Sequence, residues 1–341
     1  MFEFPVLVGD IGGTNARFAL VEAKGAAPRL LSREATRQHP DPSSAIRAAL
    51  AKGAAKGAAK GGGPAPRSAI LAIAGRVDGP EVRLTNADWT IAGAQIGADF
   101  GLSSAVMVND YVPVAAGAAG IAPDDLTPIG PHLEATGGAR LVLGPGTGFG
   151  AAALVPYADR LAIVSTEAGH TDFGPTDAGE EAIWHALERV EGRVTVEALL
   201  SGPGLARLHA AVHHVRSGAP REKLDPAAVT EAGLSAEDPH AAETLDLFAR
   251  FLGRACGDLA LTFLATGGVY IGGGIAPRIV RVLRAGGFRA AFERKAPFEA
   301  MMRGIPTSVI AVHDPAFNGL AALASEGAAF VYHGQVWRAA E

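Results

Sequence analysis

The chain has 341 residues, a formal net charge of −5 and an apolar share of 48%. That length suggests two lobes of ordinary domain size, with ample apolar material for buried sheets, and it argues against disorder outside one segment. Charges of both signs are spread along the chain, so no nucleic-acid partner is expected.

The single cysteine, Cys256, cannot form an intrachain disulfide, and no cysteine cluster exists to hold structural zinc. Within "FLGRACGDLALTFLA" it reads as a small core residue. The start, "MFEFPVLVGD", lacks a basic region followed by a long apolar run, and no stretch of about 18 uninterrupted apolar residues occurs. The expectation is a soluble, cytoplasmic protein with no membrane partner.

In chain order, "VLVGDIGGTNARFALV" (6–21) reads as two strands around a glycine turn, a β-hairpin with Asp10 in the turn and Thr14 beside it. A helix follows from residue 42, with Asp41 or Ser43 as cap and Pro42 in the first turn. Its later part repeats Lys-Gly-Ala-Ala. Glycine costs about 1 kcal/mol against alanine in a helix, so 52–66 is expected to be a frayed end and a surface loop. "SAILAIAGRV" and "AVMVND" read as buried strands. "ARLVLGPGTGFGAAALVP" repeats the strand, glycine turn, strand pattern. "DAGEEAIWHALERVEG" and the run from Asp238 to about Thr266 have helical spacing. "GGVYIGGGIAPRIVRVLRAGG" reads as strand, glycine turn, helix. The alternation gives an α/β protein. Two matching hairpins, a lobe apart, suggest that each lobe contributes one to a shared cleft.

Glycine turns let backbone N–H groups approach a phosphate. Gly9 to Thr14 form neither a Walker loop nor a dinucleotide fingerprint, because a strand follows the turn rather than Gly-Lys-Ser/Thr or a helix. An aspartate among phosphate-binding amides would repel the anion unless a cation lies between. Magnesium, bound directly or through water, resolves that conflict at Asp10. Asn109 and Asp110, at the end of a strand, suit either a catalytic carboxylate or a turn that caps the next helix. Glu167 and His170, three residues apart, set a carboxylate beside an imidazole, though alone this histidine reads as a satisfied core residue. Zinc is discounted there for want of further ligands at the right spacing. Glu197 stands at a helix start, which it could merely stabilise. Trp89, Trp184 and Trp337 read as packing residues.

"GDIGGTNARFALVE" resembles the first phosphate loop of the actin-like sugar kinases, and "LGPGTGFGAAALV" the second. "VNDYVPVAAG", "STEAGHTDFGP", "VTVEALLSGPGL" and "GGVYIGGGIAPR" resemble, in order, the motifs of the bacterial glucokinase family. The resemblance spans nearly the whole chain, from about Val6 to Gly319. It implies a two-lobed actin-like ATPase (ribonuclease H-like) α/β fold with an interlobe cleft. We expect a small domain over 1–110, completed by a C-terminal helix over 315–341, and a large domain over 111–314. The implied reaction transfers the γ-phosphate of ATP to the 6-hydroxyl of glucose, with Mg2+ as cofactor and a homodimer as the assembly.

The resemblance implies Asp110 as general base. Asn109, Glu167, His170 and Glu197 would bind glucose, with Asn86 either touching sugar or shaping a turn. The nucleotide would meet Gly9, Asp10, Ile11, Gly12, Gly13 and Thr14, then Gly146, Thr147 and Gly148, and Gly273 near the adenosine. Alternatives are a kinase for mannose, fructose or glucosamine, a non-catalytic sugar sensor, and an actin-like ATPase acting on proteins. The sensor usually carries a helix-turn-helix ahead of the kinase core, and here the first strand begins within a few residues. The protein-directed ATPase would leave Asn109, Glu167, His170 and Glu197 without a shared ligand.

Overall fold

A β-rich run that breaks at two glycines and resumes at once can pair with itself only by turning back. β1 (Val6–Ile11) and β2 (Asn15–Val21) do so, in the register Ile11↔Ala16, Asp10↔Arg17 and Gly9↔Phe18. Asp10 therefore lies in β1 and not in the turn, a correction to the sequence expectation. The computed structural model describes residues 2–57, 65–84, 87–220, 222–312 and 314–340.

β3 (Arg29–Ala35) pairs antiparallel with β2. α1 (Pro42–Gly57) then starts on Asp41, whose Oδ1 accepts from the Ser44 amide at 2.6 Å. Ala45, Ile46 and Ala49 form its buried face. The helix runs on to Gly57, past the expected fraying at residue 52. Two contacts hold this extension. Gly53 leaves room for Leu31 of β3, whose Cδ2 would lie 2.5 Å from a Cβ there. Lys52 Nζ donates to both Glu34 oxygens at 2.7 and 2.9 Å. Residues 58–64 of the expected loop lie outside the described residues.

β4 (Ser68–Ile73) is buried throughout, and β5 (Glu81–Arg83) and β6 (Thr90–Ala92) form a separate antiparallel pair. α2 (Gly93–Phe100), β7 (Ser104–Asn109) and α3 (Tyr111–Ala119) follow. Next come β8 (Leu126–Pro128), β9 (Arg140–Pro145), β10 (Phe149–Tyr157) and β11 (Arg160–Thr166). The helices α4 (Ala178–Ala186), α5 (Val196–Leu199), α6 (Gly202–Ser217), α7 (Pro226–Ser235) and α8 (Pro239–Phe263) form a long helical stretch. β12 (Gly268–Ile271), α9 (Val280–Arg284), α10 (Gly287–Glu293), α11 (Glu299–Arg303) and β13 (Thr307–Ile310) come next. α12 (Pro315–Glu326), β14 (Phe330–Tyr332) and β15 (Gln335–Arg338) end the chain.

Contacts divide the chain into two units. Unit 1 is Met1–Ile121, Leu154–Ser165 and His313–Glu341; unit 2 is Ala122–Ala153 and Thr166–Val312. The first boundary thus falls after α3, where the sequence reading put it at residue 110. Close packing explains this. Gly117 of α3 and Gly319 of α12 bring two backbones together, and a Cβ on Gly319 would collide with the Pro113 carbonyl. The stretch expected as a helix over 315–341 is helical only through Glu326 and then forms two strands.

The sheet of unit 1 has the order β15-β7-β4-β1-β2-β3, with β4 parallel to β1 and to β7, and β15 antiparallel on the edge. Leu7, Phe18, Leu71 and Met107 lie in its core. Unit 2 carries the order β10-β9-β12-β13-β8, with β12 parallel to β9 and β13, and β8 antiparallel on the edge. In each sheet the first strand of a glycine hairpin is followed by a parallel neighbour, then a second, then an antiparallel edge strand. The repeated sequence pattern is a repeated topology. In unit 2 the core is built on α8, where Phe248, Phe251, Leu252 and Cys256 are buried. Burial pushes the Cys256 thiol well above its usual pKa, as befits an inert core residue.

Candidate active site

In unit 1 the turn Gly12-Gly13-Thr14 closes on itself, with the Gly12 amide donating to the Asn15 carbonyl at 3.0 Å. Thr36 braces it from outside: its Oγ1 donates to Gly13 O at 2.6 Å and its amide to Thr14 O at 3.1 Å. Thr14 and Asn15 are exposed, whereas Gly9 and Ile11 are buried within the sheet. Gly9 is a packing glycine, since a Cβ there would lie 2.7 Å from Leu71 Cδ2. The accessible part of the expected nucleotide loop is thus Asp10 and Gly12 to Thr14.

Asp10 has a cationic partner that the sequence reading missed. Arg17 stands opposite it in the hairpin register, and its Nε donates to Asp10 Oδ2 at 3.1 Å. A second nitrogen of the same guanidinium bonds Asp10, and the third bonds Asp314, at the start of α12. Burial works against the charge on Arg17, but Asp10 and then Asp314 outweigh it and raise its pKa. Counting register outward from the turn would have found the Asp10–Arg17 pair. Asp314, 297 residues away from Arg17, left no such signal. The two carboxylates are partly exposed oxygen donors, but both are ion-paired with Arg17, and a hard cation would have to share them with that guanidinium. Among the described residues no group of three or more His, Cys, Asp or Glu is placed to hold a metal alone. A magnesium ion here would need ligands from a bound phosphate, which is how that ion is usually held.

Asn109 ends β7 and Asp110 follows it, both half-buried. The Asp110 amide donates to Ile73 O at 3.0 Å, which fixes the backbone. The two readings of this pair now separate. Asn109 Oδ1 accepts from the Tyr111 amide at 3.0 Å, while its Nδ2 donates to Gly75 O at 3.1 Å. The Asp110 side chain makes no cap bond to α3. Asn109 serves the helix start, and the Asp110 carboxylate is not used for it. Asn86 lies outside the described residues.

In unit 2 the turn between β9 and β10 is closed by the Gly146 amide on Gly148 O at 2.8 Å, and Thr147 at its tip is exposed. Gly273, at φ 80°, packs so closely that a Cβ would collide with the Pro145 carbonyl. Gly144 is held equally tightly against Gly272. The loop after β12 and the second hairpin turn are therefore neighbours, which brings Gly273 to Gly146–Gly148.

The backbone of Phe149 touches both segments that carry the acidic and imidazole candidates of unit 2. Glu197 Oε2 accepts from the Phe149 amide at 2.8 Å. Thr195 caps the short helix that presents Glu197, its Oγ1 accepting from Ala198 at 3.1 Å. Gly169, between Glu167 and His170, lies against the Phe149 carbonyl with no room for a Cβ. A 3-10 turn over Ala168–His170 sets the two side chains 3.9 Å apart, with Glu167 and His170 46% and 60% exposed. Arg193 steadies the turn by donating to His170 O at 3.0 Å and to Asp172 at 2.9 Å. The result is an exposed carboxylate and imidazole beside an anchored carboxylate, a set that can bind several hydroxyls of one polyol. Trp89 and Trp184 are buried, and Trp337 packs on α2, as expected of packing residues.

Comparisons with known proteins place the chain among sugar kinases. The glucokinase family profile matches residues 7–327. A glucokinase of Brucella suis biovar 1 (strain 1330) is 43% identical over 339 residues, covering 99% of this chain and 96% of the relative. That of Agrobacterium fabrum is 41% identical, covering 99% and 97%. The crystal structure of a glucokinase from an Antarctic psychrotroph superposes with a TM-score of 0.79 at 30% identity, covering 94% of this chain and 99% of that one. A ROK family glucokinase from Streptomyces griseus, in complex with glucose and AMPPNP, shares the fold at a TM-score of 0.62 and 21% identity, covering 95% and 100%.

Proposed function

Because this chain belongs to the glucokinase family, we infer that it transfers the γ-phosphate of ATP to the 6-hydroxyl of glucose, giving glucose 6-phosphate and ADP. The observation that carries this reading is the Glu167–His170 pair on a turn whose Gly169 packs on the Phe149 carbonyl, with Glu197 on the Phe149 amide, in a chain related over 99% of its length to glucokinases. Glu167, His170, Glu197 and Asn109 bind the sugar hydroxyls. Asp110 takes the proton of the 6-hydroxyl as its oxygen attacks phosphorus, a role worth roughly 10² to 10⁴ in rate. Gly12 to Thr14 and Gly146 to Gly148 offer backbone amides to the phosphates, with Gly273 beside them. Magnesium bound with ATP neutralises phosphate charge. Asp10 and Asp314 are the carboxylates that would hold it, directly or through water. Arg17, which spans both, remains at hand as a fixed positive charge. The assembly is a homodimer, as the family resemblance implies.

Asp110→Asn keeps the shape and removes the base. We expect kcat to fall at least about 100-fold with glucose affinity by calorimetry within a factor of about three. Near-wild-type kcat would remove Asp110 from the role. A coupled assay across glucose, mannose, fructose and glucosamine, each scored as kcat/KM, tests the substrate. A higher value for any sugar but glucose would replace it as the acceptor.

A further inference from the structure

The family match ends at residue 327, and the chain beyond it forms β14 and β15. β15 lies antiparallel on β7, the strand that ends in Asn109, with Gln335 opposite Met107 and Trp337 opposite Ala105. Trp337 covers α2 where Gly97 has no Cβ to obstruct it. In the turn between β14 and β15, Gly334 is so close to β7 that a Cβ would sit 3.0 Å from the Met107 carbonyl oxygen. The neighbouring His333 reaches the loop that follows β4: its Nε2 lies 3.0 Å from the Val77 carbonyl oxygen. A carbonyl only accepts, so Nε2 carries the proton and donates it.

That loop also holds Asn109. Its Gly75 carbonyl takes the Asn109 Nδ2 proton, and Gly75 adopts φ 141°, a conformation other residues rarely reach. The loop is thus pinned at Ala74 by a bond to Ile11 O at 2.9 Å, and at Val77 by His333, with the acceptor for Asn109 between the two pins.

We propose that His333 is a positioning residue for the sugar site: through the Val77 carbonyl it holds the loop whose Gly75 carbonyl orients the Asn109 amide beside Asp110. The proposal rests on the reading that Asn109 binds glucose. Without the His333 bond, Gly75 can move away, and Asn109 keeps only the Tyr111 bond, about which its amide is free to turn.

The test compares His333→Leu with His333→Gln, whose terminal N–H reaches about as far as Nε2. His333 is exposed, so neither change opens a cavity. In the Leu variant we expect KM for glucose to rise about five-fold, the worth of one ordinary hydrogen bond, with KM for ATP unchanged. The Gln variant restores it to within about two-fold. Amide hydrogen exchange of Gly75–Val77 reads the tether without any substrate: faster in Leu than in wild type, slow again in Gln. Unchanged exchange in the Leu variant overturns the proposal, and so does an equal rise in both KM values or a failure of Gln to rescue. Faster exchange in the Leu variant, with a wild type that does not phosphorylate glucose, would instead sink the functional reading and leave the tether standing.

Discussion

Single residues divide here into those whose neighbours are local and those whose partners are remote. Asp110 and Asn109 are adjacent, yet their amide and carboxylate serve different ends: Asn109 bonds Gly75 and Tyr111, and Asp110 is left out of the helix cap. Sequence alone left the base and the cap as rival uses of one pair, because either residue type can fill either role. Glu167 gives a second test at this scale. It is half exposed and stands beside His170, whereas Glu197 is committed to the Phe149 amide. Glu167→Gln keeps the shape but replaces an acceptor for two hydroxyls with a half-donor. We expect KM for glucose to rise roughly ten-fold and KM for ATP to stay within about two-fold, since hydrogen bonds to charged groups are worth about 1.5–3 kcal/mol. A rise confined to ATP in steady-state kinetics would move Glu167 to the nucleotide side.

Among elements, α1 and β3 show how a weak helix sequence is rescued. Four glycine or lysine positions near its end argue for fraying, but Gly53 fits over Leu31 and Lys52 reaches the buried Glu34. Burial alone would raise the Glu34 pKa; bonds from Lys52, Ser32 and His39 outweigh it and hold the carboxyl below its usual 4.5. A carboxyl depressed in the folded state adds stability above its unfolded pKa, and that stability is lost as pH falls below about 4.5 through the depressed value. Lys52→Met removes the strongest of these bonds. We expect acid unfolding, followed by circular dichroism, to begin at higher pH. At neutral pH the loss should be roughly 1 kcal/mol, kept small by the exposure of Lys52. An unchanged acid midpoint would mean that Lys52 does not hold the end of α1. The repeated hairpins belong to this scale too. Both were legible from alternation and turn residues, because a hairpin's determinants lie within a dozen residues.

At the scale of the whole molecule, the homodimer implied by family is tested by sedimentation velocity at assay concentration, which should give twice the 34.7 kDa of the chain. A single-chain mass would remove it. No described helix is long and apolar enough to cross a membrane, in keeping with the apolar runs of the sequence. By itself, the sequence determined the α/β class, the two glycine hairpins, the long helix from Asp238 and the family, since each rests on periodicity, turn chemistry or motif order. Only tertiary structure decided that Arg17 answers Asp10 and Asp314 together, that Phe149 bonds Glu197 and packs on Gly169, and that His333 reaches Val77. These contacts join residues far apart in the chain. Which of many exposed polar groups meet is settled by strand order and backbone close approach, and neither leaves a periodic trace in the residues that result.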